Sequence, residues 1–363
     1  MADAPTVDEA RLEPVDPGGV ARLSGGNATL HWRRLDGWTW LYKRFTDEHR
    51  GGVDEAALTR LIAWRLALPE GARRRLDLLA AWPRFAVQAQ GRTTGVLIPA
   101  AAEPFFDRRA DGRRTPRVLG EMAGGAGSGG AVPPETLTVL GRLILAVRFL
   151  HSLDVVVNDV QPDNVLFRVD GQGTGVYLVD CDSMASVHWG RVGPMTAPDL
   201  MSEQVPAGAE PAVSTDLTKL FWVVARVLLD EPTVIGLGRP QRTQLLEMLP
   251  AAARPPFGAL LDDPADAASW DRLGEQWALV RPFMPAAPGP PLPPPAVPVQ
   301  HLPTQPRGWL PAWYSYQPDP GPPVLPPRLR GDRVARVGRR LASLIFTRSG
   351  TLAGVTAAAL TVL

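Results

Sequence analysis

Residues 150–183 read LHSLDVVVNDVQPDNVLFRVDGQGTGVYLVDCDS, and this stretch constrains the fold more than any other. Two short apolar runs, 155–157 and 176–179, each deliver a carboxylate: Asp159 just after the first, Asp180 at the close of the second. Apolar runs bounded by Gly and Asp predict half-buried strands. Asn164 follows Asp159 by five positions, with Pro162 stiffening the join. Carboxylate and amide oxygens are hard ligands, the kind Mg²⁺ takes when nucleotide phosphates complete its shell. Asp159 is then left to orient a hydroxyl. By themselves, Asp and Asn at such positions also serve simply to cap turns.

A chain of 363 residues allows two or three units, each with a sizeable core. The net charge of +1, with no basic stripe across the folded part, gives no case for nucleic acid. The single cysteine, Cys181, excludes an internal disulfide and a Cys-based zinc site, and fits a reducing compartment. It is expected to be a buried small hydrophobe. Residues 1–19 are acidic and polar, resemble no signal peptide, and are expected to form a loose tail. Basic charge is almost all arginine, Lys43 and Lys219 being the only lysines. That scarcity makes the position of each informative.

Strands are predicted over 28–32 and 38–45, joined at Asp36-Gly37, a hairpin signal. Ahead of them, Ser24-Gly25-Gly26-Asn27 reads either as an ordinary turn or as a glycine-rich turn whose N–H groups face phosphates. Lys43 closes the second strand. Over 54–68, Ala57, Leu58, Leu61, Ile62 and Leu66 make one helical face, with Glu55 near its start where it favours the dipole. Residues 84–100 read as two strands around Gln90-Gly91-Arg92, and 120–134 as a glycine-rich loop. A strong helix is predicted over 135–151, with Leu137, Leu140, Ile144, Val147 and Leu150 in one stripe and His151 at its end. A second apolar helix is predicted over 214–229, with Ser214 as N-cap and Lys219 on its surface.

The run Asp159-Val160-Gln161-Pro162-Asp163-Asn164, followed by Asp180-Cys181-Asp182-Ser183, resembles the protein-kinase family. There the catalytic loop has Asp, any four residues, Asn, and then a strand ending in a metal-binding Asp. The nearer resemblance is to a divergent bacterial serine/threonine kinase branch, often encoded beside PPM-type phosphatases, with Asp-Cys-Asp-Ser in place of Asp-Phe-Gly. The resemblance implies an α+β, two-lobed fold: a small antiparallel β-rich lobe over 20–100 and a larger helical lobe over 101–281. It implies Asp159 as catalytic base, Asn164 and Asp180 as Mg²⁺ ligands, and Lys43 on the ATP phosphates. Glu55 would pair with Lys43, Gly25 and Gly26 would cover phosphates, and Leu97 and Ile98 would lie in the hinge that meets adenine. Asp216 would accept hydrogen bonds from the catalytic-loop backbone, and Thr196-Ala197-Pro198-Asp199-Leu200 resembles the Ala-Pro-Glu motif. The implied activity is ATP- and Mg²⁺-dependent phosphoryl transfer to a protein hydroxyl, with a PPM-type phosphatase as a partner.

Five positions depart from the family. Val157-Asn158 stands for His-Arg, so loop phosphorylation is not the expected switch. Gln161 replaces the usual Lys, Asp182 a flexible Gly, and Leu41 a small residue over adenine. These departures favour a second reading, a pseudokinase scaffold; phosphorylation of a small molecule is a third, because fold alone does not fix substrate.

Residues 282–327 are saturated with proline, which excludes a helix or central strand. In polyproline II form, at ~3.1 Å per residue, they would span on the order of 100 Å as a spacer. Trp309, Trp313, Tyr314 and Tyr316 inside it point to docking. Residues 328–340 are arginine-rich, and 341–363 are apolar but broken at Arg348-Ser349-Gly350, short of the about 20 residues of a spanning helix. Basic beside apolar fits attachment to the inner face of the plasma membrane, with the rest of the chain in the cytoplasm. The alternative is an amphipathic helix lying on protein or lipid.

Overall fold

The computed structural model describes residues 5–15, 28–108, 110, 114–122, 131–171, 173–193, 205 and 209–279. The protein is α+β, with a curled sheet followed by a largely helical region. The stretches 282–327 and 328–363 lie outside the described residues, as do Gly25, Gly26 and 196–200.

The sheet region contains β1 (Thr6–Asp8), β2 (Glu13–Pro14), β3 (Ala28–Leu35), β4 (Trp38–Phe45), the short α1 (Asp47–Arg50), α2 (Glu55–Ala67), α3 (Glu70–Leu79), β5 (Phe85–Ala89) and β6 (Arg92–Ile98). Strand order is β1-β5-β6-β4-β3-β2, antiparallel except where β1 runs parallel to β5. Residues 5–15, expected to belong to a loose tail, are instead part of the sheet region. They supply both edge strands, and Val7 and Leu12 bury with Leu35, Trp40, Tyr42, Val87 and Leu97 in a small core. Strands of two or three residues leave no alternation to read.

Both hairpins follow from local chemistry. Asp36 and Gly37 have φ of 50° and 81°, and Gln90 and Gly91 have 52° and 73°. Two consecutive positive φ values make the turn whose twist matches that of the strands. Central in the sheet, β4 pairs with β6, Lys43 opposite Val96 and Arg44 opposite Gly95. A Cβ at Gly95 would lie 2.1 Å from the Lys43 carbonyl oxygen, so any side chain there would push β4 away.

Asp54 caps α2, accepting from Ala57 N at 2.9 Å. The unforeseen α3 carries Asp77, buried against Arg65 Nε at 2.7 Å and Arg84 Nη1 at 2.6 Å. Burial pushes the Asp77 carboxyl up to about 6 against the pull of Arg65. This cluster ties α2, α3 and the lead into β5 together.

Beyond β6 come β7 (Phe106–Arg108), β8 (Arg114–Pro116), α4 (Pro134–His151), β9 (Val155–Val156), β10 (Val165–Asp170), β11 (Gly173–Leu178), β12 (Ala185–Ser186), β13 (Gly190–Arg191), α5 (Val213–Leu229), α6 (Arg239–Met248), α7 (Arg254–Asp262) and α8 (Ala267–Ala278). The apolar stripe of α4 and nearly all of α5 are buried in the main core. At the start of α5 the N-cap position is Ala212, and Thr215 Oγ1 accepts from its backbone N–H at 3.0 Å; Ser214 lies inside the first turn. Among the described residues no helix is long and apolar enough to cross a membrane.

Close packing of α4 on α8 gives a stability prediction. A Cβ at Gly141 would lie 2.4 Å from the Ala278 backbone nitrogen, whereas one at Gly258 of α7 meets nothing within 4 Å. A backbone contact cannot be relieved by a rotamer change. Gly141→Ala is expected to lose about 2 kcal/mol by urea unfolding, and Gly258→Ala to gain up to about 1 kcal/mol. Equal effects at the two positions would contradict this packing.

Candidate functional site

The site is built from the loop after β9, the β10–β11 hairpin, the turn after β11 and the middle of β4. Asn158 takes φ 64°, and Asp159 N bonds to Val157 O at 2.7 Å, closing a tight three-residue turn. A non-glycine residue there is strained and needs support. Asp216, fully buried in the first turn of α5, supplies it. Its Oδ2 accepts from Val157 N at 2.6 Å and faces His151 Nε2 at 3.0 Å, while Oδ1 accepts from Asn158 N at 2.8 Å. One turn on, Lys219 donates to the Asn158 carbonyl oxygen. Lys219 is thus buried, not on the surface: three positions after Asp216, it shares the helix face turned to the loop. Burial pulls its pKa down, with Asp216 and then Asp159 opposing.

Asp159 is itself nearly enclosed. Its Oδ2 accepts from Asn164 Nδ2 at 2.8 Å and Gln161 Nε2 at 3.0 Å, while Oδ1 is buried without a hydrogen-bond donor among the described residues. Burial first, and the Asp180 carboxylate second, push Asp159 up to about 6.

The β10–β11 hairpin explains how distant acids meet. Val165 pairs with Leu178, and Val179 N bonds to Asn164 O at 2.9 Å, so Asn164 and the residue before Asp180 sit side by side. Asp180 adopts φ 64° and opens a single 3₁₀ turn over Cys181–Ser183, where Ser183 Oγ returns to Asp180 O at 2.8 Å. Lys43 reaches this turn from β4, contacting Asp180 Oδ1 and, at 2.7 Å, Asp182 Oδ1. Burial alone would lower its pKa; Asp182 and then Asp180 outweigh that and raise it.

The structure thus brings Lys43, Asp159, Asn164 and Asp180 into one cluster. Glu55 is not in it: its carboxylate accepts from Thr93 N at 3.2 Å and Thr93 Oγ1 at 2.8 Å. As the first residue of α2 it faces outward to the start of β6, and Lys43 finds its acids elsewhere. The Leu97 carbonyl accepts from Arg84 N at 2.8 Å, and within β6 Leu97 lies opposite Tyr42 of β4 and Phe85 of β5, while Ile98 lies opposite Leu41 of β4. Leu97 is paired on both sides and Ile98 on one, and residues 99–102 are the first past β6. Cys181 is buried, its thiol pushed well up by burial and then by Asp182 and Asp180, as befits an inert packing residue.

Three members escape sequence reasoning: Asp182, Gln161 as a hydrogen-bond donor to Asp159, and Lys219. Lysine scarcity was the available signal, since both lysines of the chain end in or beside the cluster. A separate cavity of about 420 Å³, lined by Arg75, Arg142 and Arg168 with Leu78, Leu145 and Tyr177, contains none of these groups.

Among the described residues no three His, Cys, Asp or Glu side chains cluster to hold a metal by themselves. Asn164 spends its Nδ2 on Asp159, which leaves its oxygen as an acceptor, and Asp180 is the more open acid at 27% side-chain exposure. Two hard oxygen donors fit a cation that takes its remaining ligands from phosphate and water. No family model and no curated protein matches the chain.

Proposed function

We propose that the protein is a two-lobed, protein-kinase-like phosphotransferase that uses ATP and Mg²⁺ to phosphorylate a serine or threonine hydroxyl of a protein substrate. One observation carries this reading. A buried lysine, a buried carboxylate oxygen without a donor among the described residues, and two hard oxygen ligands meet at one place from segments far apart in sequence.

Each group has a distinct task. Lys43 is a compact positive charge on a long stem, suited to the α- and β-phosphates. Asn164 and Asp180 would hold Mg²⁺, which neutralises charge at the phosphates when bound. Asp159 Oδ1 would accept a hydrogen bond from the acceptor hydroxyl and then its proton. Gln161 and Asn164 fix the other oxygen and so aim the carboxylate. Catalysis of this kind is mostly positioning and charge stabilisation. Backbone at the end of β6, at Leu97 and Ile98 and just beyond, would meet the base. A PPM-type phosphatase would reverse the modification, and 328–363 would attach the chain to the inner face of the membrane.

A second reading, a scaffold without phosphoryl transfer, is favoured by the closure of Lys43 onto both Asp180 and Asp182. A radiolabelled-ATP assay with casein as generic acceptor separates the two. The wild type is expected to transfer label and Asp180→Ala to lose at least about 10²-fold. Equal label in both proteins would reject the enzyme. Mg²⁺-dependent nucleotide binding without transfer by the wild type would establish the scaffold.

A further inference from the structure

We infer that Asp182, not a residue of α2, is the positioning residue for Lys43, so that the lysine is set by the turn after β11 and not by where α2 lies. The inference rests on the phosphotransferase reading and names how that site is controlled.

Lys43 has two acids, and they differ in availability. Asp180, at 27% side-chain exposure, is the one whose oxygens a cation would take. Once those lone pairs serve a cation, they no longer balance the ammonium fully. Asp182, at 7% side-chain exposure and 2.7 Å from Nζ, remains. A buried charge without its partner is strongly unfavourable, so the remaining acid decides where the ammonium rests. Among the described residues no other carboxylate forms an ion pair with Lys43.

The turn holding Asp182 is itself anchored. Cys181 buries its side chain in the core, and Asn158 Nδ2 donates to Ser183 O at 3.2 Å. Asn158 directly precedes Asp159, so one turn registers both the lysine and the base. In contrast, α2 is tied to other parts. Glu55 bonds Thr93, Asp54 N bonds Val192 O at 2.8 Å, and Arg60 Nη2 bonds Trp189 O at 3.0 Å. Trp64 of α2 packs against Trp82 and Trp189. Movement of α2 would disturb these contacts and leave Lys43 on Asp182.

The experiment compares wild type, Asp182→Asn, Asp182→Glu and Glu55→Gln. Isotope-labelled lysine gives only two side-chain signals in this chain, Lys43 and Lys219. In nucleotide-free protein, the Lys43 signal is expected to keep its position in Glu55→Gln, to shift part of the way toward that of free lysine in Asp182→Asn, where Asp180 still faces the ammonium, and to recover at least in part in Asp182→Glu. Fluorescent ATP analogue with Mg²⁺ is expected to bind about tenfold more weakly to Asp182→Asn, with KM for ATP rising more than kcat falls, and within about twofold of wild type to Glu55→Gln. A Lys43 signal moved by Glu55→Gln and untouched by Asp182→Asn overturns the assignment. Absence of nucleotide binding by the wild type defeats the phosphotransferase reading instead, and the lysine signals still decide on Asp182.

Discussion

Asp159→Asn is expected to lower phosphoryl transfer on the order of 10³-fold, the usual scale for losing a positioned base, while leaving the protein at least as stable at neutral pH. The two effects share one cause. Burial and the neighbouring Asp180 hold the Asp159 carboxyl at about 6, above the ordinary range near 4. The folded protein therefore binds this proton more tightly than the unfolded chain. The resulting stabilisation is present in full below about pH 4, declines as pH rises through the interval, and is gone above about pH 6. At pH 7 the ionised carboxylate sits where the fold prefers a neutral group, at a penalty of at most about 3 kcal/mol. Asparagine resembles the neutral form, and its amide oxygen can keep the bonds from Asn164 and Gln161. Its NH₂ group, facing the place of the donor-less Oδ1, offsets part of the gain.

Wild-type activity should then rise with pH along a single acidic limb centred near 6, the value to which Asp159 is pushed. Thermal melts of both proteins at pH 4 and pH 7.5 complete the test, with the variant's relative advantage growing toward the higher pH. A variant that keeps wild-type activity removes Asp159 from the chemistry. One that merely unfolds at pH 7.5 shows that its carboxylate is structural.

The legible parts of this fold are those decided by neighbours in sequence. Asp36-Gly37 and Gln90-Gly91 announce their hairpins because positive φ is a local demand. The stripe of α4 is equally local, and the spacing of Asp159, Asn164 and Asp180 shows through because a single hairpin, β10–β11, lies between the last two. What stays hidden depends on the third dimension. Sequence offered Lys43 only Glu55 as a partner, and its pairing with Asp180 and Asp182 instead follows from the way the first turn of α2 faces. Helix α3, written EGARRRLDLL, looks solvated; Asp77 is buried only because Arg65 and Arg84 arrive from elsewhere. Helices α6 and α7 carry proline in their first turns and are too short for a clear period.

Asp216→Ala is expected to be the most destabilising change at the site, by about 4 kcal/mol, although Asp216 touches no reacting atom. Two backbone N–H groups, at Val157 and Asn158, lose their acceptor in a place water does not reach, at about 1–3 kcal/mol each. The left-handed Asn158 then has less to hold it, and Asp159 moves with it. In a domain of this size the thermal midpoint should fall by on the order of 10 °C. Asp216→Asn retains one acceptor oxygen and should lose about half as much. The Lys219 ammonium distinguishes this account from a general loss of packing. Asp216 helps keep that buried charge favourable, so in the Asp216→Ala background Lys219 becomes a liability. Lys219→Met should therefore lower the stability of the wild type yet recover at least about 1 kcal/mol in the Asp216→Ala protein, a coupling that a double-mutant cycle measures directly. Strictly additive losses would mean that the loop is held by its hydrogen bonds alone and that the second lysine of the chain contributes nothing to the placement of Asp159.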